Sequence, residues 1–365
     1  MIKAVRTRQI CFFYIALMPV VRFFSAPSII CGFSREDLWL SAVINCLADV
    51  ITIAVLYFLL KNENCDFFSL IEKRCGKVFA KTVAALYFLF FMLKTIIPLS
   101  EEKNYIELTL YITAPNVTTF MPVFAAIFFL CVHRLRVIGR IADGVFIIAV
   151  IGYALTFFLS VSDTDFAAIL PIGANGAKNI FIGAYSSSAW FSDGAYFLFF
   201  IGEYSKSKRD GLKIILSAAI SALIVVAFMI IFYGTFTSIA QRQQFALTEL
   251  SKYTTAINNM ERFDYIPIFA LLFVSVFSLA LPFYFATELL TRLLPVKRWV
   301  AAIITCALPA AVLLFFGEYF YSIENFILNV ASGYFIFFGC VFPIAAAAFI
   351  KIQGNKEKLN EIYGC

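Results

Sequence analysis

Residues 17–28 read LMPVVRFFSAPS and place Arg22 between Pro19 and Pro27 inside an otherwise lipid-soluble run. A charged side chain at bilayer depth costs roughly 2.5–3.5 kcal/mol on insertion scales, so something must compensate it. Proline removes a backbone donor and clashes with the preceding turn, so two prolines around an arginine predict an interrupted helix. Interrupted backbone within a membrane persists only where protein or a water-lined cavity satisfies it.

The rest of the chain supplies the membrane context. Of 365 residues, 62% are hydrophobic and only 14% charged, with a mean hydropathy of +0.89, too little charge to clothe a soluble protein of this size. Apolar runs long enough to cross about 30 Å of hydrocarbon recur from end to end. Spans are expected near 9–32, 37–60, 79–100, 117–133, 140–160, 178–203, 212–236, 264–290, 298–317 and 328–350, in one integral membrane domain covering 1–365.

Charge in the connections gives the direction. With the N-terminus inside, one face collects 21 of the 29 basic residues and the other six, with Arg22 and Lys94 left within spans. Cytoplasmic loops retain positive charge, so ten spans with both termini cytoplasmic are expected. The net charge of +6 is therefore distributed as loop charge and does not suggest a nucleic-acid surface. The external stretch 237–263 spaces Phe245, Leu247, Leu250 and Ile257 near helical period, which predicts an outer loop helix over about 240–260. DFFSLIEKRCGKVF, residues 66–79, is amphipathic and is expected at the inner interface.

Ten spans suggest five plus five, with repeat one over about 9–160 and repeat two over about 178–350. Span 1 runs outward and span 6 inward, as inverted halves require. Span 6 carries its own interruption in GAYSSSAWFSDGAYF, residues 183–197, where Ser187, Ser188, Asp193 and Gly194 loosen the helix. Paired interruptions in corresponding spans point to a transporter-type site. At 1.5 Å per residue, Arg22, Asp49 and Asp193 all lie roughly 15–20 Å below the outer surface.

The candidate ligand-binding set is thus Arg22, Ser25, Asp49, Ser187, Ser188, Asp193 and Gly194. Arg22 has two open roles. It can receive the carboxylate of a small anion or amino acid, with Asp193 accepting from the ammonium. Alternatively, it is permanently paired with an acid, Asp193 if spans 1 and 6 face each other and Asp49 if they do not. Lys94 is expected to snorkel toward Glu101 or Glu102, and Glu288 to pair with Arg292 four residues on. Pro282 is expected to kink span 8.

The nine cysteines are scattered without a CxxC pair, and the only histidine, His133, sits in a basic loop, so no metal centre and no cofactor are expected. No nucleophile–base pair or phosphate-binding glycine loop appears, and an enzyme is not expected. MIKAVRTRQI is basic without a cleavage pattern, so the first span is read as retained.

PSIICGFSREDLWL (27–40), GRIADGVFIIAVI (139–151), DFAAILPI (165–172) and the long stretch 245–274 together resemble the B subunit of spore-germination nutrient receptors. Those are permease-like members of the amino acid–polyamine–organocation superfamily. The resemblance covers nearly the whole chain. It implies an all-α, LeuT-like inverted repeat with broken spans 1 and 6, in the inner membrane of a spore-forming bacterium. An A-type membrane subunit and a C-type lipoprotein are the implied partners, with a small nutrient such as an amino acid sensed between spans 1, 3, 6 and 8. Where the family has a glycine-containing turn in span 1, this chain has VVRFF, residues 20–24, so no ligand-binding glycine is carried over. A germinant-sensing subunit is the leading expectation. The alternatives are a secondary transporter coupled to H+ or Na+ and an assembly scaffold that binds nothing.

Overall fold

Apolar side chains dictate helices here because lipid offers backbone groups no partner outside the chain. The computed structural model describes residues 5–105, 116–204, 207, 209–253, 265–315 and 320–363, and among these the only β feature is an isolated bridge between Val5 and Tyr204. Eight spans are long helical rods: span 2 (Leu38–Leu60), span 3 (Lys77–Tyr105), span 4 (Asn116–Val132), span 5 (Leu135–Ser160), span 7 (Asp210–Phe236), span 8 (Tyr265–Leu293), span 9 (Arg298–Phe315) and span 10 (residues 320–363). Among the described residues, six helical stretches are long and apolar enough to cross a membrane by length and composition, and spans 4 and 9 contribute shorter apolar helices. Span 8 runs unbroken through Pro282, and span 3 through Pro98.

Spans 1 and 6 are the interrupted ones. Span 1 is α-helical over Thr7–Phe12, π-helical over Phe13–Leu17 and 3-10 over Val20–Phe23, and it resumes as an α-helix at Ala26–Ser34. Span 6 is α-helical over Gly176–Ser186, tightens over Ser187–Ala189, opens at 190–192, and continues as Asp193–Tyr196 and Phe197–Phe200. Ser192 takes a left-handed φ of 63°, which a serine adopts at a cost of roughly 1–2 kcal/mol. Span 10 carries two π segments, Ile327–Ala331 and Phe337–Val341, of the kind that loosen a helix without severing it.

The packing follows the two halves. Span 8 lies most extensively along span 3, and span 7 along span 2, the positions that correspond between halves of five. Span 2 is also strapped to span 6 by polar bonds: Ser41 donates to the Ile180 carbonyl at 2.8 Å, and Asn45 to the Ala184 carbonyl at 2.8 Å. At the start of span 2, Asp37 accepts from the backbone N–H of Gly173 at 2.7 Å and of Asn175 at 3.1 Å.

Two short helices close the ends. The helix Phe67–Cys75 begins at Asp66, whose side chain accepts from Ser69 N–H at 3.3 Å, and ends at Gly76 with φ 88°. Its Phe67, Phe68, Leu70 and Ile71 are buried under spans 3, 6 and 10, so the amphipathic face meets protein where an interfacial helix would meet lipid. Burial pushes Asp66 up, but the Arg292 guanidinium at 2.5 Å and the Ser69 hydroxyl outweigh it and hold the carboxyl below its usual range. The helix Ala246–Lys252 buries Leu247 and Leu250 against spans 5 and 8, and Phe245 just before it packs edge-on against Tyr105 of span 3, ring centres 5.4 Å apart. Its first N–H, from Ala246, donates at 3.1 Å to the Phe24 carbonyl left open by the break in span 1. Ile257 and the far end of the expected loop helix lie outside the described residues.

Candidate functional site: a buried charge network at two helix breaks

The interruptions meet at the centre of the bundle. Arg22, 3% exposed, extends from span 1 into the opening of span 6, where its guanidinium pairs with Asp193 and its Nε donates to the Trp190 carbonyl at 3.1 Å. The same guanidinium stands 3.6 Å from Asp49 of span 2 and 4.3 Å from the centre of the Phe191 ring. Asp49 in turn accepts the backbone N–H of Gly194 at 3.1 Å. Both acids weighed from the sequence as partners for Arg22 are therefore in place together.

The fourth member is Lys94. Its ammonium is 3.2 Å from Asp193, and it donates to the Ala189 carbonyl at 3.3 Å and to the Phe191 carbonyl. This corrects the expectation of snorkelling toward Glu101 or Glu102. Span 3 continues to Tyr105, so Lys94 lies too deep to reach an interface and turns to the open carbonyls of span 6. Two cations and two carboxylates thus balance in a desolvated cluster. An unbalanced charge at this depth would be left without compensation.

The remaining candidates are placed as follows. Ser25 donates its hydroxyl to Glu101, which also receives Trp190 Nε1–H at 3.0 Å. Ser187 donates to the Gly183 carbonyl at 2.8 Å and receives Asn45 at 3.0 Å, and Ser188 donates to the Ser332 carbonyl of span 10 at 3.1 Å. These two serines satisfy backbone around the break and do not join the charge network. Gly194 is needed for close approach: a Cβ there would stand 2.7 Å from Thr52 Cγ2 and 3.2 Å from the Gly339 carbonyl. Glu101 and Glu102, the latter receiving the Ser275 hydroxyl at 2.8 Å, are buried within the bundle, where sequence reading placed them at an interface. Their signal was present as two adjacent acids following an apolar run, but the end of the span was set five residues too early.

Beside the network are two small cavities of about 30 and 20 Å³, the first lined by Lys94, Asp193, Tyr196 and Trp190, the second by Arg22, Asp49 and Asp193. A third, of about 520 Å³ between spans 2, 6 and 10, reaches Asn45, Asp49, Tyr185, Ser192 and Cys340. Each of the two small ones has room for about one or two waters. Toward the end whose loops are rich in basic residues lies a vestibule of about 660 Å³, lined by Asp66, Arg134, Arg136, Glu203, Glu288 and Arg292 among others. Phe199 and Phe285, 4.4 Å apart, form its roof. Glu288 pairs there with Arg292 at 3.6 Å, as its spacing suggested, and with Arg298 at 2.6 Å. Among the described residues no group of three or more His, Cys, Asp or Glu could hold a metal ion.

Comparison with known proteins agrees with this geometry. A family profile described as "Spore germination protein" matches residues 4–327. No curated protein matches the chain significantly by sequence. Among solved structures, MhsT in complex with L-phenylalanine is similar with a TM-score of 0.60 and 12% identity, over 94% of this chain and 97% of that one. A manganese transporter of Eremococcus coleocola is similar with a TM-score of 0.59 and 12% identity, over 93% of this chain and 78% of that one. At that identity the likeness establishes the fold, which is LeuT-like with interrupted spans 1 and 6.

Proposed function

The chain belongs to the spore germination protein family, and from that premise we propose that it is the nutrient-sensing B-type subunit of a germinant receptor. A small nutrient, an amino acid in the first instance, binds where the breaks of spans 1 and 6 meet and triggers germination by rearranging the charge network. The observation that carries this reading is the network itself: Arg22, Lys94, Asp49 and Asp193 join four spans through groups that a zwitterion can replace one for one. A ligand carboxylate competes with Asp193 for Arg22, and a ligand ammonium competes with Lys94 for Asp193. Binding therefore changes how the two broken spans are held together, which is the differential interaction a switch requires.

The setting that goes with this role is the inner membrane of a spore, with both termini cytoplasmic and an A-type membrane subunit and a C-type lipoprotein as partners. The test is nutrient-triggered germination of spores carrying Arg22→Gln or Asp193→Asn, with receptor levels checked by immunoblot. Loss of the nutrient response at normal protein level supports the site. An unchanged response in both variants overturns it.

A second reading is favoured by the cavity sizes. Space of about 30 Å³ beside Lys94 and 20 Å³ beside Arg22 is far below the roughly 300 Å³ of an ordinary ligand pocket, which suits a scaffold closed between Arg22 and Lys94. Nutrient sensing with this chain as scaffold alone predicts that Arg22 and Asp193 variants fail only through loss of the assembled receptor. A transporter, by contrast, would accumulate substrate in proteoliposomes under an ion gradient, which a sensor does not do.

A further inference from the structure

The opening in span 6 is occupied, and its occupant is part of the chain. Between Ala189 and Asp193 the helix turns away, and its carbonyls lose their partners along the rod. Two of these carbonyls, of Ala189 and Phe191, converge with the Asp193 carboxylate on one point, and the Lys94 ammonium sits there. The ring of Tyr196, with its centre 5.7 Å from that ammonium, lies beside the same point. Three oxygens and an aromatic ring around a three-donor cation match the chemistry of a primary ammonium. The neighbouring cavity of about 30 Å³ touches Lys94, Asp193, Trp190 and Tyr196, so the cage adjoins free space.

We infer that the break in span 6 is a primary-ammonium site, filled in this state by the chain's own Lys94. The charge count supports self-occupancy. Removing the lysine leaves Asp49 and Asp193 against Arg22 alone, and the desolvated centre then lacks one positive charge. A ligand bearing a primary ammonium takes this place by displacing Lys94. That second statement rests on the nutrient-sensing reading, whereas the cage itself does not.

The test is made on the purified full chain in nanodiscs. Lys94→Ala retains Cβ and removes three carbons and the ammonium, so n-propylammonium is the missing piece. Propylammonium chloride is expected to raise the melting temperature of Lys94→Ala saturably, with ethylammonium and butylammonium less effective. The wild type shows no such shift at the same concentrations, and Lys94→Ala combined with Asp193→Asn loses the response. Lys94→Met preserves apolar bulk along the stem should the alanine variant fold poorly, and there ammonium chloride is the probe, with the same upward shift expected. Absence of any saturable response in a folded variant overturns the assignment. So does an equal response to sodium chloride, which would make the cage a general cation site. A germination defect in spores bears on the sensing role, and the amine response bears on the cage, so either can fail alone.

Discussion

Arg22 and Asp193, 171 residues apart, form a buried ion pair between the interruptions of spans 1 and 6. Each break exposes backbone that a continuous helix would have satisfied, and each brings a charge that lipid would not tolerate. Joined, they neutralise one another and cover the open carbonyl of Trp190. The pair is thus the reason both breaks can exist at this depth.

Removing one partner is therefore expected to be severe. Arg22→Ala leaves two carboxylates facing Lys94 alone and should lower stability by about 3–5 kcal/mol, the range for an uncompensated buried charge. Arg22→Met combined with Asp193→Asn removes one charge of each sign, leaves Lys94 with Asp49, and should recover a substantial part of that loss. Denaturant unfolding of the purified variants in mixed micelles checks both.

The contact between span 10 and the break makes a steric prediction. A Cβ on Gly339 would stand 2.4 Å from Ser192 Cβ and 3.1 Å from Ser192 Cα, atoms that cannot rotate away. Gly339→Ala should destabilise by about 1–3 kcal/mol through overpacking. In a Ser192→Gly background the clash with Cβ disappears and the left-handed φ of 63° is relieved. The same alanine should then be distinctly milder there, even though the Ser192 bond to the Ser188 carbonyl is lost. A double-mutant cycle on melting temperature reads the coupling.

Acid behaviour should report on the helix Phe67–Cys75. Because Arg292 and Ser69 hold Asp66 below its ordinary value, the ionised form is favoured by folding. Its stabilisation is complete above the unfolded value of about 3.9 and is lost as pH falls through the lower folded value. The melting temperature of the wild type minus that of Asp66→Asn should be constant from neutral pH down to about 4 and shrink below it. A difference that grows on acidification would show the sign to be wrong.

Much of this architecture was legible because lipid leaves few options. The apolar runs located most of the spans to within a few residues, but span 3 was ended five residues early and span 10 begins eight residues before and ends thirteen after its expected bounds. The interruption in span 1 was visible in Pro19, Arg22 and Pro27, and that in span 6 in the serine run and Asp193-Gly194. Lys94 was misread for a physical reason: its environment is set by the break of a span 95 residues later in the chain, and no local pattern carries that contact. The nearby Glu101 and Glu102 offered a local partner that the extra turn of span 3, through Tyr105, takes out of reach of the interface. The helix Phe67–Cys75 shows the same limit. Its apolar face was readable, but whether protein or lipid covers it depends on spans 3, 6 and 10.

The most direct measurement is a thermal-shift panel of the proteinogenic amino acids on the purified wild-type chain, repeated on Arg22→Gln and Asp193→Asn. At least one amino acid should raise the melting temperature of the wild type saturably, and that shift should vanish in both variants while they remain folded. A shift that survives in both, or a wild type that responds to none of the twenty, would contradict a nutrient site at the meeting point of the two broken spans.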